Sequence, residues 1–337
     1  MSLASWQWDN FADLKDKQLN RIILSESHNS GSYNLDMNIN IPNYHSCIIR
    51  FVQKLMFFSS FLANWSICQD QTIYNQLKMG IRSFDWRVTK INDTYRLHHT
   101  FVGNDLNSYL NEYVRFFKEH PNEFVVIRVQ KDLYGSGYWK DISKHKEFRK
   151  LVYNTYKITY DELRKKNKNI IFVNRNDFKK SYIEKDYINI DTALKRAESW
   201  LLNEVPHFDK DDYITYNTNI TPSPYDFFSS ILSYSNPLYL IICLYILINR
   251  CYKKKNIIKI ISNPVNILLV IMIGILVLNY KFSYGLDSRE PNNQNRMIDV
   301  LKKNKNYIQY ITSVSMDFPT DKNIRWVINQ NFQQDKY

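Results

Sequence analysis

The sequence predicts an α/β fold, a (β/α) barrel with a hydrophobic membrane hairpin inserted into it. Three observations carry that expectation. Short apolar runs alternate with helical stretches, the pattern of a parallel sheet with crossover helices. Six or seven such strands fall in one chain, and no Gly-x-Gly-x-x-Gly fingerprint or phosphate loop marks a doubly wound nucleotide fold. Residues 227–249 and 260–280 contain no charged side chain, and each exceeds the ~18–20 residues that cross a bilayer.

Taken in order, Arg21 to Leu24 reads as a short buried strand that runs into Ser25, Glu26, Ser27, His28, Asn29, Ser30 and Gly31, small polar residues of turn type. Cys47 to Trp65 reads as an amphipathic helix carrying Arg50 and Lys54, either packed on the core or lying in a membrane interface with its cations snorkelling. A short helix at Thr72 to Lys78 closes at Gly80. The alternation from Ile81 to Val88 predicts a strand, and Tyr95 to His99 the next. Asn104 is read as the cap of a helix from Asp105 to Glu119 that Pro121 ends. Phe124 to Val129 and Asn169 to Val173 are apolar strands of the fully buried type, separated by a charged helix from Asp141 to Lys166. A helix over Asp191 to Leu202, a strand over Tyr213 to Thr218, a helix over Asn295 to Lys303, a strand over Tyr310 to Met316 and a helix over Lys322 to Asn331 complete the pattern. Residues 1–225 and 285–337 then form one barrel, and 226–284 the inserted hairpin, whose two apolar arms flank Arg250 and Lys253–Lys255.

In a parallel barrel, residues at the C-terminal ends of the strands converge on one face. His28, Asp85, Arg87, His99, Arg175 and Asp317 all fall at or near such ends. Two histidines, two carboxylates and two arginines suit cleavage of a phosphodiester. One imidazole takes the proton of the attacking hydroxyl, the other protonates the leaving oxygen, and arginine offsets the charge growing on phosphorus. Alternation over Phe84-Asp85-Trp86-Arg87 puts Asp85 and Arg87 on one side of their strand.

The stretches Ser27-His28-Asn29-Ser30-Gly31, Gly80 to Arg87, Leu97-His98-His99, Asn122 to Ile127, Phe172-Val173-Asn174-Arg175 and Ser315-Met316-Asp317-Phe318 resemble, in this order and spacing, the X-domain of phosphatidylinositol-specific phospholipases C. The block from Arg50-Phe51 to Cys68-Gln69 and the Asn after the first His are most similar to the trypanosome-type glycosylphosphatidylinositol phospholipase C. The resemblance implies a distorted TIM-type barrel. It implies attack of the inositol 2-hydroxyl on phosphorus, release of diacylglycerol, and an inositol 1,2-cyclic phosphate that a slower step hydrolyses. By motif position His28 is the general base oriented by Asp317, His99 the general acid, Arg87 the phosphate ligand, and Asp85 an assistant near the acid. Asn29, Arg175, Gln130 and Tyr187 take inositol-binding positions. Arg87 and Gln130 stand where the calcium-dependent animal enzymes carry carboxylates, so a metal-independent reaction with no cofactor is expected.

Composition narrows the alternatives. The 337 residues are 44% hydrophobic and 15% aromatic, a globular balance. The net charge of +12 suits an anionic membrane surface. No nucleic-acid partner is expected, because the lysines are scattered and no nucleic-acid motif appears. Cys47, Cys68, Cys243 and Cys251 fit neither a metal knuckle nor a disulfide framework, so free thiols are expected, with Cys251 a possible lipid-carrying position. Met1 to Asn20 lacks a basic start and apolar run, so no signal peptide is expected. The bilayer partner segments are therefore 227–249, 260–280 and 47–65, and the catalytic part faces the cytosol, against the pull of the lysine-rich loop. Two other readings compete. One is an inactive inositide-binding membrane protein on the same fold. The other is a glycerophosphodiester phosphodiesterase, which needs a metal-binding carboxylate cluster that the sequence does not show.

Overall fold

A computed structural model of the chain describes residues 2–36, 66–99, 101–132, 137–173, 181–187, 190–209, 212–222 and 291–332. Ten strands form one sheet: β1 (Leu24–Ser27), β2 (Ser83–Ile91), β3 (Thr94–His99), β4 (Phe101–Asp105), β5 (Val125–Asp132), β6 (Val152–Tyr153), β7 (Ile170–Val173), β8 (Ser181–Tyr187), β9 (Thr215–Pro222) and β10 (Ser313–Met316). Along the main path the order is β6-β7-β5-β2-β1-β10-β9-β8, and every neighbouring pair on it is parallel.

That order decides between the two α/β architectures. In a doubly wound sheet the first strand lies inside the order and the last at an edge. Here β10 pairs with β1, with Leu24 opposite Ser313 and Ser27 opposite Met316. The last strand thus closes onto the first, as in a barrel. The ring is not continuous: among the described residues no ladder joins β7 to β8. This is a parallel barrel opened at one seam.

Three expectations need correction. The first strand is Leu24–Ser27 and not Arg21–Leu24; Leu19–Arg21 is a single 3-10 turn. Its serines and glutamate are all buried, with Glu26 turned into a polar layer of Arg128, Ser83 and Ser313. The long helix from Asp141 to Lys166 is broken into Tyr138–Lys144, Lys146–Leu151 and Tyr160–Lys165, with β6 between the last two. Asp105, not Asn104, caps the helix Leu106–Glu119 by accepting from Ser108 N–H at 3.0 Å. The other expected elements that fall on described residues lie within a few residues of their ranges, and β4, β6, β8 and the short helices Trp6–Asp9, Phe11–Leu14 and Lys305–Ile308 are additional.

The tertiary interior is unusually aromatic. Trp86, Tyr109, Tyr113, Tyr160, Phe84, Phe101 and Phe116 are all fully buried. Below the sheet, at the N-terminal ends of the strands, the buried Arg82 guanidinium joins Glu123 at 2.8 Å and donates to the carbonyls of Leu77 and Ala4 at 2.7 Å each. Glu123 in turn accepts from Trp8 N–H at 2.8 Å. Two residues of the resembling motifs therefore lock the N-terminal segment to the barrel floor and do not reach the site. Gly80 ends the Ile73–Lys78 helix with φ +99°, a conformation that favours glycine.

No helix among the described residues is long and apolar enough to cross a membrane. The segments 227–249, 260–280 and 47–65 lie outside the described residues.

Candidate active site

The site is assembled at the C-terminal ends of β1, β2 and β10. His28 follows β1 directly, held by its N–H donating to Met316 O at 3.0 Å across the β1–β10 ladder. Asp317 follows β10. The register that places Ser27 opposite Met316 also places the next pair, His28 and Asp317, side by side. Their Nδ1 and Oδ1 atoms are 2.8 Å apart although the residues are 289 positions apart in sequence. Asp317 is anchored by its own N–H, which donates to Asn219 Oδ1 at 2.8 Å. Both residues are followed by a backbone in the left-handed region, Asn29 at φ 44° and Phe318 at φ 41°. Such conformations are costly away from glycine and collect at sites the surrounding fold over-determines.

Asp85 and Arg87 project from β2 on the side opposite Phe84, Trp86 and Val88, which are buried in the apolar layer. A register shift between Trp86 and Arg87 re-aims the strand at this point. Arg87 Nη2 lies 3.0 Å from His28 Nε2, and Arg87 Nε lies 3.8 Å from Asp85 Oδ2. Asp85 also receives Asn29 N–H at 3.3 Å and lies 3.9 Å from Arg128. Burial opposes its ionisation, but Arg128 and then Arg87 outweigh that and hold its carboxyl below the usual range. It is a fixed anion that steers Arg87 and braces the turn after His28.

Arg128, which the sequence reading did not single out, is the base of a buried polar layer. It reaches Glu26 at 2.5 Å, and Glu26 accepts from Ser83 at 2.7 Å and Ser313 at 3.1 Å. Charges thus alternate from the barrel interior to its mouth: Glu26, Arg128, Asp85, Arg87.

His28 is pulled two ways. Burial lowers its pKa, but the Asp317 carboxylate on Nδ1 outweighs burial and raises it to about 10. Arg87 acts oppositely, since its N–H can donate to Nε2 only when that nitrogen is unprotonated. With Nδ1–H donated to Asp317, the Nε2 lone pair is the one available to take a proton.

His99 arrives by an unexpected route. β3 is antiparallel to β2, with Val88 opposite Leu97, and antiparallel to β4. The expectation that it is a further parallel barrel strand is therefore wrong. β2 overruns the barrel and the hairpin brings the chain back, so its end delivers His99 to the same rim. The His28 and His99 rings lie 6.1 Å apart, edge to face at 65°. His99 Nδ1 is 2.8 Å from Ser66 O, so that nitrogen carries a proton and Nε2 is left outside this bond. Asp85, expected by motif position near His99, forms its contacts with Arg87, Arg128 and Asn29, the neighbours of His28.

Among the predicted binding residues, Asn29 is buried, with Nδ2 3.1 Å from His28 Nε2 and 3.3 Å from Cys68 Sγ. Gln130 falls within β5 and Tyr187 at the C-terminal end of β8. Arg175 lies outside the described residues. Cys68 is the residue the sequence reading missed. Its buried thiol lies 3.5 Å from His99 Nδ1, and burial and Asp317 oppose its ionisation while His99 and His28 outweigh them and lower its pKa to about 6. A cysteine with no partner at metal-knuckle spacing gave no signal. Around Arg87 lie its own cationic guanidinium, the His28 imidazole and the single carboxylate of Asp85, a poor match to the oxygen shell of a calcium ion.

No protein-family model matches the chain. Sequence similarity joins it to X-domain proteins: it is 31% identical over 130 residues to the mouse PI-PLC X domain-containing protein 2, covering 37% of this chain and 38% of that one. It is 26% identical over 127 residues to a PI-PLC X-box domain-containing protein of Dictyostelium discoideum, covering 38% of this chain and 16% of that one. The match thus spans well under half of either relative. In fold the chain is similar to the phosphatidylinositol-specific phospholipase C of Listeria monocytogenes, with TM-score 0.54 at 13% identity over 98% of this chain and 99% of that one. Sequence and fold both carry the X-domain resemblance, and neither points to the trypanosome type in particular.

Proposed function

We propose that the chain is a phospholipase C acting on phosphatidylinositol or its glycosylated forms. The carrying observation is that His28 with Asp317, His99 and Arg87 meet at one barrel mouth from β1, β10, β3 and β2. His28 Nε2 takes the proton of the inositol 2-hydroxyl, and Asp317 stabilises the imidazolium that forms. Arg87 binds the phosphate. Because it now donates to that same Nε2, an arriving phosphate gives Arg87 a new partner and frees the lone pair for catalysis. His99 fixes one proton on Nδ1 through Ser66 O and, when protonated, gives the Nε2 proton to the diacylglycerol oxygen. The oxygen–phosphorus bond to inositol O2 forms as the bond to diacylglycerol breaks, leaving the 1,2-cyclic phosphate. These steps use side chains alone.

In the same reading, residues 1–225 and 285–337 are the catalytic part, and the two charge-free runs within 226–284, with 47–65, hold it to the bilayer. The likeness of the chain to X-domain proteins and to the bacterial fold supports the reaction class; the membrane segments rest on sequence.

The test is release of inositol cyclic phosphate from labelled lipid. His28→Ala and His99→Ala should each lower turnover about 10²–10⁴-fold, the range for loss of a general acid or base. Turnover close to wild type in either variant would remove the assignment. Lipid binding by the wild type with no turnover would favour an inactive inositide-binding protein.

A further inference from the structure

Cys68 has no part in the proposed reaction, yet it is clamped to the same strand ends as the proposed base. Its N–H donates to Ser32 Oγ at 2.9 Å, and its carbonyl accepts from Phe318 N–H at 3.0 Å. The next side chain, Gln69, donates to the carbonyls of His28 at 2.8 Å and Met316 at 3.0 Å. The thiol is therefore held in place.

What it faces is a set of metal-binding donors. One ligand atom each from His28, Cys68 and Asp317 all lie within 4.8 Å of one another. His99 Nδ1 is 3.5 Å from the sulfur. Thiolate, imidazole and carboxylate are the donors zinc takes, and a tetrahedral zinc with sulfur at about 2.3 Å and nitrogen at about 2.0 Å sets those two atoms about 3.5 Å apart. Calcium and magnesium, which prefer oxygen, fit such a set poorly.

We propose that His28, Cys68 and Asp317, with His99 as a fourth ligand, form a zinc-binding site that silences the enzyme. Binding releases the thiol proton of Cys68 to solvent and replaces the hydrogen bonds of His28 Nδ1 to Asp317 and of His99 Nδ1 to Ser66 with bonds to the metal. Each ring then carries its one remaining proton on Nε2, so His28 has no lone pair with which to act as base and His99 cannot become the imidazolium that acts as acid. The effect on turnover rests on the phospholipase reading; the binding itself does not.

The full-length protein would be titrated with zinc by calorimetry and with cadmium by the ultraviolet thiolate-to-metal charge-transfer band, alongside turnover of labelled phosphatidylinositol. The wild type should bind zinc, show the band, and lose turnover at least tenfold, with recovery on adding a chelator. Cys68→Ser should lose the band, bind zinc at least tenfold more weakly, and lose a smaller share of its own basal turnover on adding zinc than the wild type does; Cys68→Ala checks that the serine hydroxyl is not itself a ligand. Bands and affinities unchanged in both variants, or a wild type that shows no band, would overturn the site. If the wild type binds metal through Cys68 but turns over no lipid, the metal site stands and the phospholipase reading fails.

Discussion

At the scale of single residues, the two partners of His28 make opposite demands, and each can be separated by substitution. Asp317→Asn keeps the shape of the pair but removes the charge that favours the imidazolium. Turnover should fall about 10²–10⁴-fold. The stability effect has a definite sign. The folded-state pKa of His28 is raised to about 10, from the ordinary ~6.5. The pair's contribution is therefore fully present below pH ~6.5 and is lost as pH rises through about 10. Thermal unfolding of wild type against Asp317→Asn should show the largest gap near pH 6 and little gap above pH ~10. A gap that widens with rising pH would contradict this account. Arg128 offers a second test one layer deeper. Arg128→Met strands Glu26 and Asp85 as buried anions, which should cost about 3–5 kcal/mol in denaturant unfolding.

At the scale of elements, the β2–β3 hairpin shows where sequence reading succeeds and where it stops. The strand pattern of Tyr95 to His99 was legible, and His99 was singled out as a candidate from its place at the strand end. Its direction was not, because alternation carries no sign of parallel or antiparallel pairing. The same limit applies to β1. Leu24-Ser25-Glu26-Ser27 looks like the start of a turn, since apolarity is the usual mark of a buried strand. Its Glu26 carboxylate is buried against Arg128, Ser83 and Ser313, partners from distant strands that no local window contains. The proposed catalytic set was legible because it rests on residue type at strand ends. Cys68 and Arg128 were not, because their meaning lies in their neighbours. Gly31 was quoted as a motif residue, and the fold supplies its reason: a Cβ there would lie 2.6 Å from Leu97 Cδ1. Gly31→Ala should push β3 away from the turn after His28. It should cost about 1–3 kcal/mol of stability, and turnover should fall further than stability explains. Unchanged melting and turnover would show that Leu97 yields freely.

At the scale of the whole molecule, the ring of parallel strands was expected from the alternation of elements, and the β10–β1 pairing confirms the barrel class. The open seam, which among the described residues lies between β6 and β8 at the two ends of the strand order, was not foreseeable, since neither strand was expected from the sequence. The seam leaves β1, β2, β9 and β10 as the continuous arc that carries His28, Asp85, Arg87, Asn219 and Asp317. The site is thus built on the unbroken side of the barrel, where strand register fixes distances.

The closure of β10 onto β1 also sets a clock. The proposed base stands at position 28 and its carboxylate at position 317, so a ribosome must add 289 residues after the first before the two can meet. Until then His28 has no Asp317, and β1 lacks one of its two neighbours. Catalytic competence on this design is acquired in a single event, when synthesis delivers β10. A chain ending at residue 310 should be inert towards labelled lipid, and a separately supplied peptide spanning 311–337 should restore part of its turnover. An active truncated chain would show that the site does not wait for its last strand.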